Sequence, residues 1–189
     1  MRSVRRGVFE TNSSSMHSIA ICKDKRGFTD NSIKVDPKTN LVKAEFGDYG
    51  WEWVDYTEAY DKLSYILTMA AMIFNNKIYQ ERIAEPTKEM FFNSEEFKII
   101  NNAVKSHCLC DGIDKDDLSQ YMEVETSDWN NQKSIEFYCD KGHRDWASID
   151  HQSVCNSLDE FLEIWDLKSV EDFIFDPEVM LKTGNDNEI

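Results

Sequence analysis

The chain has 189 residues, 41% of them hydrophobic and 12% aromatic, and carries 21 basic against 36 acidic side chains for a net charge of −15. The apolar content excludes a disordered chain, and the charge excludes a protein that grips phosphate backbones over a broad surface. No run approaches the ~18 consecutive apolar residues that a membrane span needs, so neither nucleic acid nor a membrane is the expected partner. Five Cys, an odd number in a chain of this length, fit the reduced thiols of a cytoplasm better than a disulfide framework. The stretch MRSVRRGVFETNSSS is basic but has no apolar centre, so it does not read as a secretory signal. The expected localisation is therefore the cytoplasm. The length predicts one domain over residues 1–189, with a partly irregular acidic tail.

In chain order, HSIAIC (17–22) has strand character. SIKVD (32–36) and LVKAEF (41–46) flank the turn-type segment DPKTN and predict a hairpin. GDYGWEWVDY (47–56) mixes two glycines with four aromatics and reads as a packed loop. Residues 57–84 place Tyr60, Leu63, Ile66, Leu67, Ala70, Ala71, Phe74 and Ile78 at three- and four-residue steps. This predicts one long helix, capped by Thr57 and stopped by Pro86. A second helix is predicted over 94–107, with Ser94 as cap and Glu95 and Glu96 in its first turn.

QYMEVET (120–126) and KSIEFYCD (133–140) alternate around SDWNNQ and predict a second hairpin. Two more helices follow, over 157–167 with Ser157 as cap and over 169–175, before an irregular-looking DPEVMLKTGNDNEI. The order of elements predicts an α+β fold, a largely antiparallel sheet with helices packed on one face.

Four motifs carry chemistry. FETNSSSMHS (9–18) gathers Glu10, Asn12, Ser13, Ser14, Ser15 and His17. Its hydroxyls and amides can donate to phosphate oxygens, and a His beside them can move a proton or bind an anion. The plainer alternative is a turn whose side chains bond their own backbone before a strand. It is neither a P-loop, which needs glycines and a Lys, nor the G-x-S-x-G elbow of hydrolases.

SIDHQS (148–153) supplies Asp150 and His151, which as neighbours in an extended segment point to opposite sides. His107, Cys108, Cys110, Cys139 and His143 form a Cys/His set. The one-residue gap in Cys-x-Cys departs from the usual zinc spacing, and no metal site is assigned. TGNDN (183–187) contains Asp186 and is either a frayed tail or a polar strap.

Together, RRGVFETNSSSMHS, FGDYGW, KLSYILTM, IDHQS, FIF and TGNDN resemble a group of bacteriophage and Firmicutes proteins that begin with a similar FETNSSSxHS segment. The resemblance covers most of the chain and implies a phage or mobile-element setting. It also implies that Glu10, Asn12, Ser13, Ser14, Ser15, His17, Asp150, His151 and Asp186 belong to one candidate site. Trp51-Glu52-Trp53 departs from the more glycine-rich version of that loop.

Two functions of different class follow. In the first, the chain is an acidic inhibitor or decoy, anti-CRISPR-like, docking on the basic surface of a nucleic-acid-handling defence protein. Asp159, Glu160, Glu163, Asp166, Glu171 and Asp172 supply its face, within a C-terminal stretch (145–189) that holds twelve acids against Lys168 and Lys182. In the second, the chain is an enzyme acting on a phosphorylated or nucleotide-like substrate. Asn12 and Ser13–Ser15, with Asp186 as strap, hold the substrate; His17 or His151 moves a proton; Glu10, Asp150 or Asp186 orients the base or holds Mg²⁺. No other cofactor is indicated.

Overall fold

The computed structural model describes residues 2–3, 17–23, 32–50, 53–126, 133–150 and 154–185. Strands β1 (Arg2–Ser3), β2 (His17–Lys23), β3 (Asp48–Tyr49) and β4 (Val54–Tyr56) precede a helical block. That block is α1 (Ala59–Glu81), α2 (Lys88–Phe92), α3 (Glu95–Cys108) and α4 (Lys115–Leu118). Then come β5 (Met122–Thr126), β6 (Lys133–Phe137), β7 (Ser148–Ile149), α5 (Leu158–Ile164), α6 (Val170–Phe175) and β8 (Val179–Asn185). The fold is α+β, as the order of elements predicts. Its main sheet runs β1-β2-β8-β4 with every pairing antiparallel. Two short ladders complete it, β5–β6 antiparallel and β3–β7 parallel.

α1 organises the core. Every residue from Lys62 to Ala71 is buried, so the helix is enclosed on all sides there rather than along one stripe. Leu63, Ile66, Leu67 and Ala70 have no exposed surface. Ile21 on β2 and Val179 and Leu181 on β8 bring the sheet into the same hydrophobic cluster. Phe91 is the centre of an aromatic group, meeting Phe46, Phe74, Phe97 and Phe137 at centroid distances between 5.1 and 6.0 Å. Tyr65 performs the same role at the other end, against Tyr49, Phe161 and Phe173. The predicted serine caps at 94 and 157 hold, and Ser169 caps α6 in the same way. Ser94, Ser157 and Ser169 accept from the N–H groups of Phe97, Glu160 and Asp172 at 3.0–3.2 Å.

Several expectations are corrected. The segment expected to be an irregular tail contains β8, a strand paired on both edges; pairing with β2 and β4 overrides the weak strand propensity of Gly184 and Asn185. The expected loop at 47–56 contains the short strands β3 and β4. The hairpin expected over 32–46 is reduced to one bridge, Val35 to Val42, with Asp36 N–H donating to Leu41 O at 2.9 Å. Val42 is drawn instead to residues 112–114: its N–H donates to Gly112 O, and Asp114 N–H donates to Val42 O, both at 2.8 Å. Thr57 is not the cap of α1; Glu58 holds that position without a side-chain bond. Pro86 does not stop the helix either. Arg82 turns left-handed (φ 53°), and its N–H closes onto Ile78 O and Tyr79 O.

Lys62 lies fully buried in the middle of this core. Its Nζ donates to the carbonyls of Asp176 (3.0 Å) and Val179 (3.1 Å), joining α1 to the turn between α6 and β8. Burial pulls its pKa down to about 8 from 10.5, with Asp176 opposing the shift. Because the folded value is depressed, the unfolded chain holds more protons between pH 8 and 10.5, and this group adds stability as pH rises through that window. The stability of the unaltered protein relative to Lys62→Met is therefore expected to rise by up to roughly 3 kcal/mol from pH 7.5 to 10. Urea unfolding of both proteins at several pH values checks this.

Candidate functional site

Of the site residues read from the sequence, Glu10, Asn12, Ser13, Ser14, Ser15, His151 and Asp186 lie outside the described residues. His17 opens β2, and the register sets it opposite Asn185, the last residue of β8. The described ends of those two segments, His17–Ser18 and Thr183–Asn185, distant in sequence, therefore adjoin at one end of the main sheet. β4 starts at that same end, with Val54 opposite Thr183.

Asp150 follows β7 and is 1% exposed. Its N–H donates to Tyr49 O at 3.0 Å. Gly50, four residues ahead of β4, has φ +110° and packs on it so closely that a Cβ there would lie 2.8 Å from Asp150 Cβ. Glycine is required at position 50 on both counts. The structure thus brings together, in backbone terms, the start of β2, the end of β8 and the start of β4, while Gly50 and Asp150 pack on each other just beyond the β3–β7 ladder.

The six acids read as a partner face divide into two kinds. Glu160 Oε2 accepts from Asn156 N–H (2.7 Å) and Nδ2 (2.9 Å), which with Ser157 completes a capping arrangement. Glu171 faces His107 Nδ1 at 3.5 Å. Asp172 sits in the first turn of α6, where its N–H is held by Ser169 and its charge suits the helix N-terminus. The other three, Asp159, Glu163 and Asp166, are exposed at a four- and a three-residue step. No lysine or arginine among the described residues forms an ion pair with them.

The Cys/His set is engaged locally. The His107 ring stacks on Phe175 at 3.8 Å. Cys110 Sγ accepts from Gly112 N–H at 3.4 Å, and Cys139 Sγ donates to Trp146 O at 3.5 Å. Burial pushes the Cys108 thiol up to about 11, with Cys110 adding to the shift. Burial likewise lifts Cys139 to about 11, with Asp48 and Asp145 adding to it. Both are protonated at neutral pH and poor nucleophiles. Among the described residues no group of three His, Cys, Asp or Glu side chains is placed to hold a metal ion.

One polar cluster escaped the sequence reading. Asp117, buried on α4, accepts from Lys141 Nζ at 2.8 Å, and Lys43 Nζ lies 3.7 Å from the same oxygen. Lys141 also lies 5.3 Å over the Tyr121 ring. Beside them, Glu45 is bonded by Tyr60 at the N-terminal end of α1. Burial and then the charge of Asp61 push the Glu45 carboxyl up, opposed by Lys141 and Tyr60. Burial and then Glu58 push Asp61 up as well. Such carboxyls can hold or release a proton nearer neutrality than a solvated acid does. Nothing local in the sequence marks them, because the members are spread from residue 43 to residue 141.

No family model, curated protein or solved structure matches the chain.

A raised carboxyl pKa contributes stability at low pH that is lost as pH rises through the folded value. Glu45→Gln keeps an acceptor for Tyr60 but removes the charge facing Asp61. It is expected to stabilise the protein at pH 7 and to have little effect near pH 4, where Glu45 gains its proton. Thermal melts of both proteins at the two pH values check the sign.

Proposed function

We propose that the chain is a phage or mobile-element accessory protein that inhibits a nucleic-acid-handling host protein by docking an acidic face on its basic surface, in the manner of anti-CRISPR decoys. The observation that carries this reading is the row Asp159, Glu163 and Asp166, exposed on one side of α5 and the turn after it. A net charge of −15 surrounds the row with a field that favours a cationic partner. Carboxylates at helical spacing can replace phosphates in a groove lined by Lys and Arg. No helix among the described residues is long and apolar enough to cross a membrane.

The test uses purified RNA-guided nuclease complexes and other defence nucleases as probes. The protein is expected to inhibit at least one, with an association rate that falls about tenfold or more as salt rises from low to physiological strength. The triple variant D159N/E163Q/D166N is expected to lose most of that inhibition while its unfolding midpoint changes little, since all three side chains are exposed and Asn tolerates the left-handed backbone of residue 166 (φ 52°). Undiminished inhibition by the variant, or no inhibition of any nuclease by the unaltered protein, sinks the reading.

A second reading rests on a separate observation, the β2–β8 register that sets His17 opposite Asn185 at the sheet end where β4 starts. It makes that sheet end a site for a phosphorylated or nucleotide-like substrate. On this reading Ser14→Ala with His17→Ala removes turnover of such substrates and leaves the melting temperature near that of the unaltered protein. A variant that melts earlier with function per folded molecule intact returns FETNSSSMHS to the role of a strand-entry turn.

A further inference from the structure

The loop from Cys139 to Trp146 folds back from the end of β6 and is built around one carboxylate. Asp140 accepts from the N–H groups of Gly142 (3.0 Å), Arg144 (3.0 Å) and Asp145 (3.2 Å). Cys139 N–H donates to Asp145 O at 2.8 Å, and Tyr138 bridges to Trp146. Two side chains tie this loop to the segment before and within β5. Lys141 reaches Asp117, as described above. His143, itself left-handed (φ 53°), reaches Gln120 and Glu123.

The second tie is chemically particular. His143 Nδ1 lies 2.9 Å from Glu123 Oε2, and Nε2 lies 2.8 Å from the backbone carbonyl of Gln120. Both partners are acceptors: an ionised carboxylate and a carbonyl have no proton to give. A neutral imidazole carries one N–H and can satisfy only one of them, so full engagement requires the imidazolium. The ring is stacked on Tyr138 at 4.4 Å and 2°, which fixes the plane in which both nitrogens point.

We infer that His143 is a pH-sensitive latch, holding the 139–146 loop against Gln120–Glu123 when it is cationic and releasing it when it loses its proton. The groups facing the ring are Glu123 from β5, which favours the cation, and Lys88 from α2, which opposes it. Tyr138 at the end of β6 stacks on the ring, and its hydroxyl is turned to Glu125 at 3.1 Å. The Gln120 carbonyl and then Glu123 raise the His143 pKa above its ordinary 6.5. A raised value means the closed state is complete below the ordinary pKa and is lost as pH rises through the folded one. Lys141 keeps its charge over that range, because its hydrogen bond to Asp117 raises its pKa. Release therefore frees the His143 side of the loop, while its other end stays moored beside Glu45 and Tyr60.

The test is an NMR titration of the full chain from pH 5 to 9, following the His143 ring and the amides of Lys141, Gly142, Arg144 and Asp145. The ring is expected to titrate with a midpoint above 6.5, and the loop amides to shift with that same midpoint. Glu123→Gln removes the anionic acceptor and is expected to lower both midpoints together. His143→Gln is expected to abolish the loop transition and leave the amides at their high-pH positions throughout. His143 lies at the surface, and a melt of each variant confirms that it folds. Loop amides that do not titrate with the ring, a ring midpoint at or below 6.5, or a midpoint unmoved by Glu123→Gln would each overturn the inference.

Discussion

The structure depends on one buried cation. Lys62 projects from the first turn of α1 and donates to the carbonyls of Asp176 and Val179, which close α6 and open β8. β8 is the strand on which both β2 and β4 pair, so the position of the main sheet against the central helix is set at this point. A lysine held by backbone carbonyls is a costly choice for a core even with the Asp176 charge acting on it. The Asp176 carbonyl, at the C-terminal end of α6, is among the few neutral groups that suit it, because the peptide dipoles present their negative ends there. Thr68, two turns further along α1, performs a neutral version of the same task. It donates to Ser64 O at 2.9 Å and accepts from Gly47 N–H at 2.9 Å, which fixes the approach to β3.

Elements with strong local signals were legible in the sequence. The apolar period of α1, the Ser-x-x-Glu and Ser-x-x-Asp starts of α5 and α6, and the alternation of β5 and β6 all reflect interactions within a few residues. What failed is what depends on distant partners. β8 shows only Val-Met-Leu as an apolar run, and it becomes a strand because β2 and β4 offer donors and acceptors on both its edges. Val42 looked like half of a hairpin with Val35, but residues 112–114 compete for its backbone. The same limit governs the site. Pairing of the two ends of the chain follows from register, and the Glu45, Tyr60, Asp61 and Asp117 cluster draws on three segments with no common motif.

The electrostatics sort into layers. Within the fold, carboxylates are matched to particular cations. Lys77 meets the buried Glu96, Lys141 and Lys43 share Asp117, Lys182 meets Asp55 and Lys133 meets Glu85. These pairs are partly shielded from solvent to different degrees, and the ones around Asp117 and Glu96 respond least to salt. At the surface, Glu160 and Asp172 belong to helix starts, where their charge is favourable without any cation.

That sorting bears on what the excess acid is for. If solubility alone explained a charge of −15, acids without a structural duty would be expected on any exposed surface. On α5 and α6 the duties are identifiable one by one: a cap for Glu160, a helix start for Asp172, a histidine for Glu171. Removing those leaves Glu163 and Asp166 with Asp159, which also suits the first turn of α5, and the spacing sets the three on one side of a single helix and its closing turn. Three like charges so placed repel one another and weaken the helix that carries them. A cationic groove laid along that side would convert the repulsion into attraction, and it would do so without disturbing any of the contacts that hold α5 to the core.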